Sequence, residues 1–343
     1  MRLIVIRENE AGQRLDKYLH KYLKAAPDSF LYKMLRKKNI TRNGKKATGS
    51  EKLETGDEIK FFMSEETLDQ FMHIPELDTV LKKQEETAQY QRAFQTFGNL
   101  ETVFENRAVL IVNKPAGLLT QKAFPEDLSL NEWLIGRMLS KGEIAKEELH
   151  TFKPSVCNRL DRNTSGMVIC GKTLAGSRKM CELLKDRSLK KYYRLYVKGE
   201  VKEASSIEGY LVKDEVANRV RIQNGGKDDC TRDSDTQDGS YIKTIYEPVK
   251  ICGDRTLLEV ELVTGKTHQI RAHLASIGHP VLGDYKYGEK AYNDKYKKKY
   301  GIKSQLLHAY RLTFPQMGEE FGELSGRTVV AQPPEIFRIL EKD

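Results

Sequence analysis

Hydrophobic periodicity changes once along this chain, and the change limits what it can fold into. After an apolar run at 2–6, Leu15, Tyr18, Leu19, Tyr22 and Leu23 recur at helical spacing. Leu31, Met34 and Leu35 share the face of a second helix, which Asp28 can cap. Asn43-Gly44 signals a tight turn, and a strand at 58–63 closes a compact unit. From about residue 101 the pattern is strand-rich. Runs at 109–113, 167–170, 192–197 and 256–263 read as strands and 174–185 as a helix. Thr267 can cap a further helix with Ile270, Leu274 and Ile277 on one side. Strands mixed with a few helices, without βαβ repetition, predict an α+β fold on a mostly antiparallel sheet.

The expected division is a small module at 1–63, a linker at 64–100 and a main domain at 101–343. The linker is polar; it could form a solvated helix or pack on either neighbour. Residues 224–240 read as a surface loop. A length of 343 residues suits more than one core.

Charge follows the same division. Residues 1–62 hold fifteen Lys/Arg against eight Asp/Glu, whereas the remaining 281 hold 43 against 41. A basic excess gathered in one small segment suits a polyanionic partner, and equally a solubilising surface. Within residues 31–47, Lys33, Arg36, Lys37, Lys38, Arg42, Lys45 and Lys46 occur with no acid between them, a phosphate-binding pattern. A second stretch, 285–303, interleaves seven lysines with five tyrosines, which suits RNA or a tyrosine-anchored structural loop.

The five cysteines are odd in number and lack C-x-x-C spacing, so neither a disulfide framework nor a zinc site is expected. Free thiols point to a reducing compartment. The N-terminus turns charged too early for a signal-peptide core, and no apolar run approaches the roughly 20 residues of a membrane span. A soluble cytoplasmic protein is expected.

Two constellations carry chemistry. In Asn158-Arg159-Leu160-Asp161-Arg162-Asn163-Thr164-Ser165-Gly166 an acid lies between two arginines, which favour its ionised form. A fixed carboxylate can act as nucleophile or base, although an Asp in such a loop is also an ordinary turn residue. In Thr264–His273, Lys266, Thr267, His268 and Gln269 fall at a helix N-terminus, where free N–H groups favour an anion. His268 and His273 are five apart, not the four of helical metal pairs, so no metal is expected.

On these residues the chain resembles the RluA-type branch of the pseudouridine synthases. The family's H-R-L-D-x-x-T-S-G is matched at 158–166, with Asp161 as the acid. Further blocks follow in order: VLIVNKPAGL at 109–118, Lys191-Tyr192-Tyr193 through Gly199, Thr264–His273 with Gly278-His279-Pro280 and Gly283-Asp284, and Leu307-His308-Ala309. The N-terminal module is similar to the S4 RNA-binding domain often fused to this family. Two departures stand out: Asn158 replaces a usual His, and Lys266 a usual Arg, which loses a bidentate phosphate grip.

The resemblance implies isomerisation of uridine to pseudouridine in a flipped-out nucleotide, without cofactor or metal. It implies Asp161, Tyr193 and Arg271 as catalytic residues. Asp161 would act on the ribose, Arg271 would pair with it, and Tyr193 would stack on the uracil, its hydroxyl assisting loss of the C5 proton. Arg159 would fill the gap left by the flipped base or contact phosphate. Asn158, Thr164, Lys114, Lys266, His268 and Gln269 are the expected substrate-binding residues. The expected target is large-subunit ribosomal RNA, acted on by a monomer. The alternatives are a transfer RNA target or a non-catalytic RNA binder. A glycoside hydrolase would need two facing carboxylates, and Asp161 has no evident partner acid.

Overall fold

A computed structural model describes residues 1–72, 77–214, 219–223 and 240–343. Except for Ser240, the loop read at 224–240 lies outside the described residues, as does Cys230.

The N-terminal unit packs helices Leu15–Tyr22 and Asp28–Arg36 on a four-stranded sheet. Leu15, Tyr18, Leu19, Leu31, Met34 and Leu35 are buried together, as their spacing predicts. Asn43 and Gly44 both have positive φ, 52° and 72°, the signature of a two-residue hairpin turn between Ile40–Arg42 and Lys45–Lys46. The expected cap at Asp28 is corrected: Pro27 holds the N-cap position and Asp28 begins the helix, where its charge meets the positive end of the dipole. Lys33, Arg36, Lys37, Lys38, Lys45 and Lys46 are exposed. Arg42 is drawn inward instead, its Nε donating to the buried Asp57 carboxylate at 2.7 Å. It braces the hairpin rather than joining the free basic face.

The described parts of 64–100 pack on both neighbours. Helix Glu65–Met72 closes the N-terminal core, with Leu68 fully buried and the Phe71 ring 4.2 Å from that of Phe30. Helix Leu77–Phe97 packs on helix Leu130–Ser140, burying Tyr90 and Ala93 beside Trp133. The two helices approach so closely that a Cβ on Gly136 would lie 2.1 Å from the Tyr90 carbonyl oxygen. Thr151 bridges the N-terminal unit to the rest: its hydroxyl donates to Glu10 at 2.9 Å in a buried contact, and its carbonyl accepts from Lys21 at 3.1 Å. The exposed Arg7–Glu148 pair adds little by comparison, since such pairs contribute about 0–1 kcal/mol.

The main body is an eleven-stranded sheet. Its spine runs Arg219–Gln223, Ser205–Asp214, Ser240–Cys252, Arg255–Leu262, Lys190–Lys198, Leu307–Thr313, Ser165–Gly171, Val109–Lys114 and Thr102–Glu105. Among the described residues, every strand pairing is antiparallel except that of Leu307–Thr313 with Ser165–Gly171. That parallel pair is the seam between two halves. At the seam Gly166 has φ 111°, and a Cβ there would lie 2.4 Å from the Ala309 backbone, so only glycine fits. His308 ties the same seam, contacting the Ser165 hydroxyl through Nδ1 at 2.8 Å and the Ala331 carbonyl through Nε2 at 3.0 Å.

The Lys/Tyr-rich stretch forms helix Lys290–Tyr300. Tyr296 is buried, and Tyr292 and Tyr300 pack around it with Phe337 and Leu340. These three tyrosines therefore anchor structure and are not open stacking platforms. Among the described residues, no helix is long and apolar enough to cross a membrane.

Candidate active site

The loop bearing Asp161 leads into strand Ser165–Gly171 and is fixed from several sides. The Thr120 hydroxyl donates to the Leu160 carbonyl at 2.8 Å and accepts from the Leu160 amide at 3.1 Å. The Arg162 carbonyl accepts from the Gly117 amide at 2.9 Å, and the Thr164 amide closes a turn onto the Asp161 carbonyl at 3.0 Å. Lys114 does not line the cleft. It is fully buried, and its ammonium donates to the carbonyls of Leu118, Pro115 and Arg162 at 2.8, 3.0 and 3.1 Å. Burial pushes its pKa down to about 7, and Asp161 partly opposes this. It clamps the Lys-Pro turn onto the Asp161 loop. Asn158 is also occupied: its Oδ1 accepts from the Ile169 amide at 2.8 Å and its Nδ2 donates to the Met167 carbonyl at 3.3 Å. It lines the cleft but spends its amide on the neighbouring strand.

The cation that meets Asp161 is not one of its neighbours in sequence. Arg162 donates to the Gly117 carbonyl and Arg159 is exposed. Arg271, 110 residues away, donates from Nη1 to Asp161 Oδ2 at 2.8 Å. Its other face grips Asp284, with Nε to Oδ2 at 2.6 Å and Nη2 to Oδ1 at 2.9 Å. Asp284 is 1% exposed and also accepts from the backbone amides of Lys286 and Tyr287. Burial alone would raise its pKa, but the Arg271 hydrogen bonds and charge prevail and hold it below the ordinary value. Burial likewise opposes the Arg271 charge and is outweighed by Asp284 and Asp161. One guanidinium thus joins an inner carboxylate to an outer one. Asp284 lies behind Arg271 and does not face Asp161 across the cleft, so the pair does not form the two-carboxylate geometry of a glycosidase.

The cleft in front of Asp161 holds about 760 Å³ and is lined by Tyr193, His268, Arg271, Thr164 and Lys266 among others. That is within the range of roughly 300–1,000 Å³ typical of small-molecule sites. Tyr193 enters from strand Lys190–Lys198 on the far side of the seam. Burial, then the Asp161 charge, raises its phenol pKa, so it stays protonated. Its ring lines the cleft beside Asp161.

Helix Gln269–Ser276 carries Arg271. Its N-cap is His268, in the left-handed region at φ 55°, and not Thr267. Ile277 lies beyond the helix end and is exposed, whereas Ile270 and Leu274 are buried as expected. Gln269 is 2% exposed and fully engaged, accepting from the Thr264 hydroxyl and the Lys266 amide and donating to Lys243 and Thr244. It shapes the turn and is not free for substrate.

Sequence reasoning missed four contributors. Arg187 and Lys191 line the cleft with Arg159 and Lys266, giving a cationic rim suited to phosphates. Asp284 and Tyr287 brace the site from behind. Among the described residues, no cluster of three or more His, Cys, Asp or Glu could hold a metal ion.

Comparison with known proteins gives concordant results. The RNA pseudouridylate synthase family pattern matches residues 108–276, and the S4 domain pattern matches 13–59. The chain is 30% identical over 328 residues to "Ribosomal large subunit pseudouridine synthase C" of Vibrio cholerae, covering 93% of this chain and 90% of that one. The protein of the same name from Haemophilus influenzae is 29% identical over 330 residues, covering 93% and 89%. The solved structure "Human RNA Pseudouridylate Synthase Domain Containing 4" superposes with a TM-score of 0.54 at 18% identity. It covers 75% of this chain and 95% of that one, a likeness of fold.

Proposed function

Because the chain belongs to the RNA pseudouridylate synthase family and carries an S4 domain ahead of the catalytic one, we propose that it isomerises specific uridines of large-subunit ribosomal RNA, with Asp161 as the nucleophile. The observation that carries this reading is the single Arg271 guanidinium holding the Asp161 carboxylate in the wall of a cleft large enough for a nucleoside.

In this reading Asp161 acts on the ribose and the N1–C1′ bond breaks. The uracil turns over against the Tyr193 ring and C5 bonds to C1′. The C5 proton leaves and N1 gains one, so no atom is gained or lost and no redox partner is needed. A cleft of this size accepts the base only after it leaves its stack, at a cost of about a few kcal/mol and least in unpaired RNA. Arg159, exposed at the rim, can occupy the vacated gap or pair with phosphate. Lys266, Arg187 and Lys191 suit flanking phosphates. The working unit is a monomer, since one chain supplies Asp161, Tyr193 and Arg271. A ribosomal RNA substrate implies a cytoplasmic enzyme. We take residues 1–63 as the RNA-binding domain and residues from 101 onward as the catalytic one.

The test is to incubate the protein with large-subunit ribosomal RNA and resolve pseudouridine from uridine by nucleoside chromatography. Mapping positions in RNA from cells with and without the gene then identifies the site. Modification confined to transfer RNA would overturn the target, and release of free uracil would overturn the reaction.

The S4 face gives a second expectation. None of Lys33, Arg36, Lys37, Lys38, Lys45 and Lys46 has an acidic partner among the described residues. Lys37→Glu with Lys38→Glu should weaken RNA binding at least about tenfold and flatten its log–log salt slope by about 1.4, at roughly 0.7 per lost single-strand contact. Filter binding across a salt series measures both, and an unchanged slope would exclude this face.

A further inference from the structure

Opposite Asp161 the cleft wall carries the imidazole of His268. His268 Nε2 lies 3.7 Å from Asp161 Oδ2, too far for a hydrogen bond but close enough to share a substrate. Its Nδ1 lies 2.9 Å from the Tyr287 hydroxyl. That hydroxyl already accepts from the Val220 amide at 3.1 Å. A phenol carries one proton. With an amide donating to its oxygen, that proton is free to turn to the imidazole, an arrangement in which Nδ1 accepts and the ring proton sits on Nε2, facing Asp161.

Two further features fix this arrangement. His268 adopts φ 55°, an uncommon backbone state for a non-glycine residue and one that recurs at functional sites. Tyr287 is itself immobilised: its amide donates to Asp284 at 3.2 Å, and its ring lies 5.2 Å from the Arg271 guanidinium carbon and edge-on to the imidazole. The charged groups facing His268 are Asp161, Arg271, Lys286 and Asp284. Burial is the largest influence and keeps the ring neutral to below the ordinary 6.5, with Asp161 opposing it.

We propose that His268 donates a hydrogen bond from Nε2–H to the ribose 2′-oxygen of the flipped uridine, keeping its proton, and that Tyr287 is the positioning residue that sets this tautomer. The inference rests on the uridine-isomerising reading above. Asp161 works at C1′ or at the proton on C2′, and a donor 3.7 Å from that carboxylate borders the same two carbons. The 2′-hydroxyl is the oxygen they carry, and it is the group that distinguishes RNA from DNA.

The test uses the full chain. Nitrogen-15 spectra of histidine-labelled protein near neutral pH should show the Nε2–H tautomer for the resonance lost in His268→Asn. Asparagine tolerates the left-handed backbone. Tyr287→Phe should give a mixture of tautomers and lower kcat with KM little changed. A 2′-deoxyuridine at the target should lower wild-type kcat by about 10- to 100-fold, as expected for an unpaired buried donor, and cost His268→Asn little more than it has already lost. An Nδ1–H tautomer in the wild type, a tautomer unmoved in Tyr287→Phe, or an equal 2′-deoxy penalty in wild type and His268→Asn would each overturn the proposal. Failure of the isomerase reading is a separate result: the wild type would then form no pseudouridine from the ribose substrate, while the tautomer measurement would stand by itself.

Discussion

Asp161→Asn will abolish pseudouridine formation, lowering kcat/KM by at least about a thousandfold, as loss of a nucleophile does elsewhere. RNA affinity will stay close to that of the parent. The two effects separate because the substitution removes a charge and little else. Asn has almost the same volume, and its side-chain oxygen can still accept from Arg271 Nη1, now at 2.8 Å from Asp161. The loop keeps its shape because its clamps do not involve the carboxylate: Thr120 on Leu160, Lys114 and Gly117 on the Arg162 carbonyl. An amide oxygen cannot attack the sugar or take its proton at a useful rate. Single-turnover kinetics on ribosomal RNA beside filter binding would measure both quantities. A variant that still isomerises uridine near the parental rate would remove Asp161 from the chemistry.

Much of this site was legible before any coordinates because its residues lie in contiguous blocks. Asp161 and Thr164 come from one block and His268 and Arg271 from another. The meeting of Asp161 with Arg271 is legible only through the blocks' resemblance to a family, since no local pattern links residues 110 apart. Lys114, Asn158 and Gln269 also hold structure, which sequence does not reveal, for a common physical reason. A polar side chain next to a catalytic block looks like a ligand for substrate, but each of these satisfies buried backbone groups that a tight loop leaves unpaired. Arg42 is engaged in the same way: sequence counts its charge but not the buried Asp57 beneath it. Helix Leu77–Phe97 carried its signal openly: Tyr90, Ala93, Phe94 and Phe97 fall at i, i+3, i+4 and i+7. Polar residues around them diluted it. Asp284 entered the sequence reading only as part of the family-like Gly283-Asp284 block, with no role attached; only the fold shows that it backs the Arg271 guanidinium.

Asp284→Asn should therefore cost stability as well as catalysis. Arg271 is 7% exposed and binds Asp284 through two nitrogens, so the neutral amide leaves a buried guanidinium with only Asp161 to balance it. Breaking one side of a buried pair costs about 3–5 kcal/mol, and Asn, which keeps one acceptor, should fall near the lower figure. Arg271 should then swing or tilt toward its remaining anion and misplace Asp161, so kcat should fall while RNA affinity holds. The sign of the pH dependence follows from the depressed pKa of Asp284. The stability it supplies is fully present above the unfolded carboxyl value near 3.8 and is lost as pH falls through the lower folded value. The difference in unfolding free energy between parent and variant should thus be flat through neutral pH and shrink only in acid. Adding Arg271→Met to Asp284→Asn removes the stranded charge as well, and should recover part of the stability without recovering any activity. Denaturant unfolding of the three proteins at neutral and acid pH measures the stability differences, and single-turnover kinetics beside filter binding the rest. A gap that persists unchanged into strong acid, or a double variant no more stable than Asp284→Asn alone, would mean that Asp284 acts through packing and not through the charge it shares with Arg271.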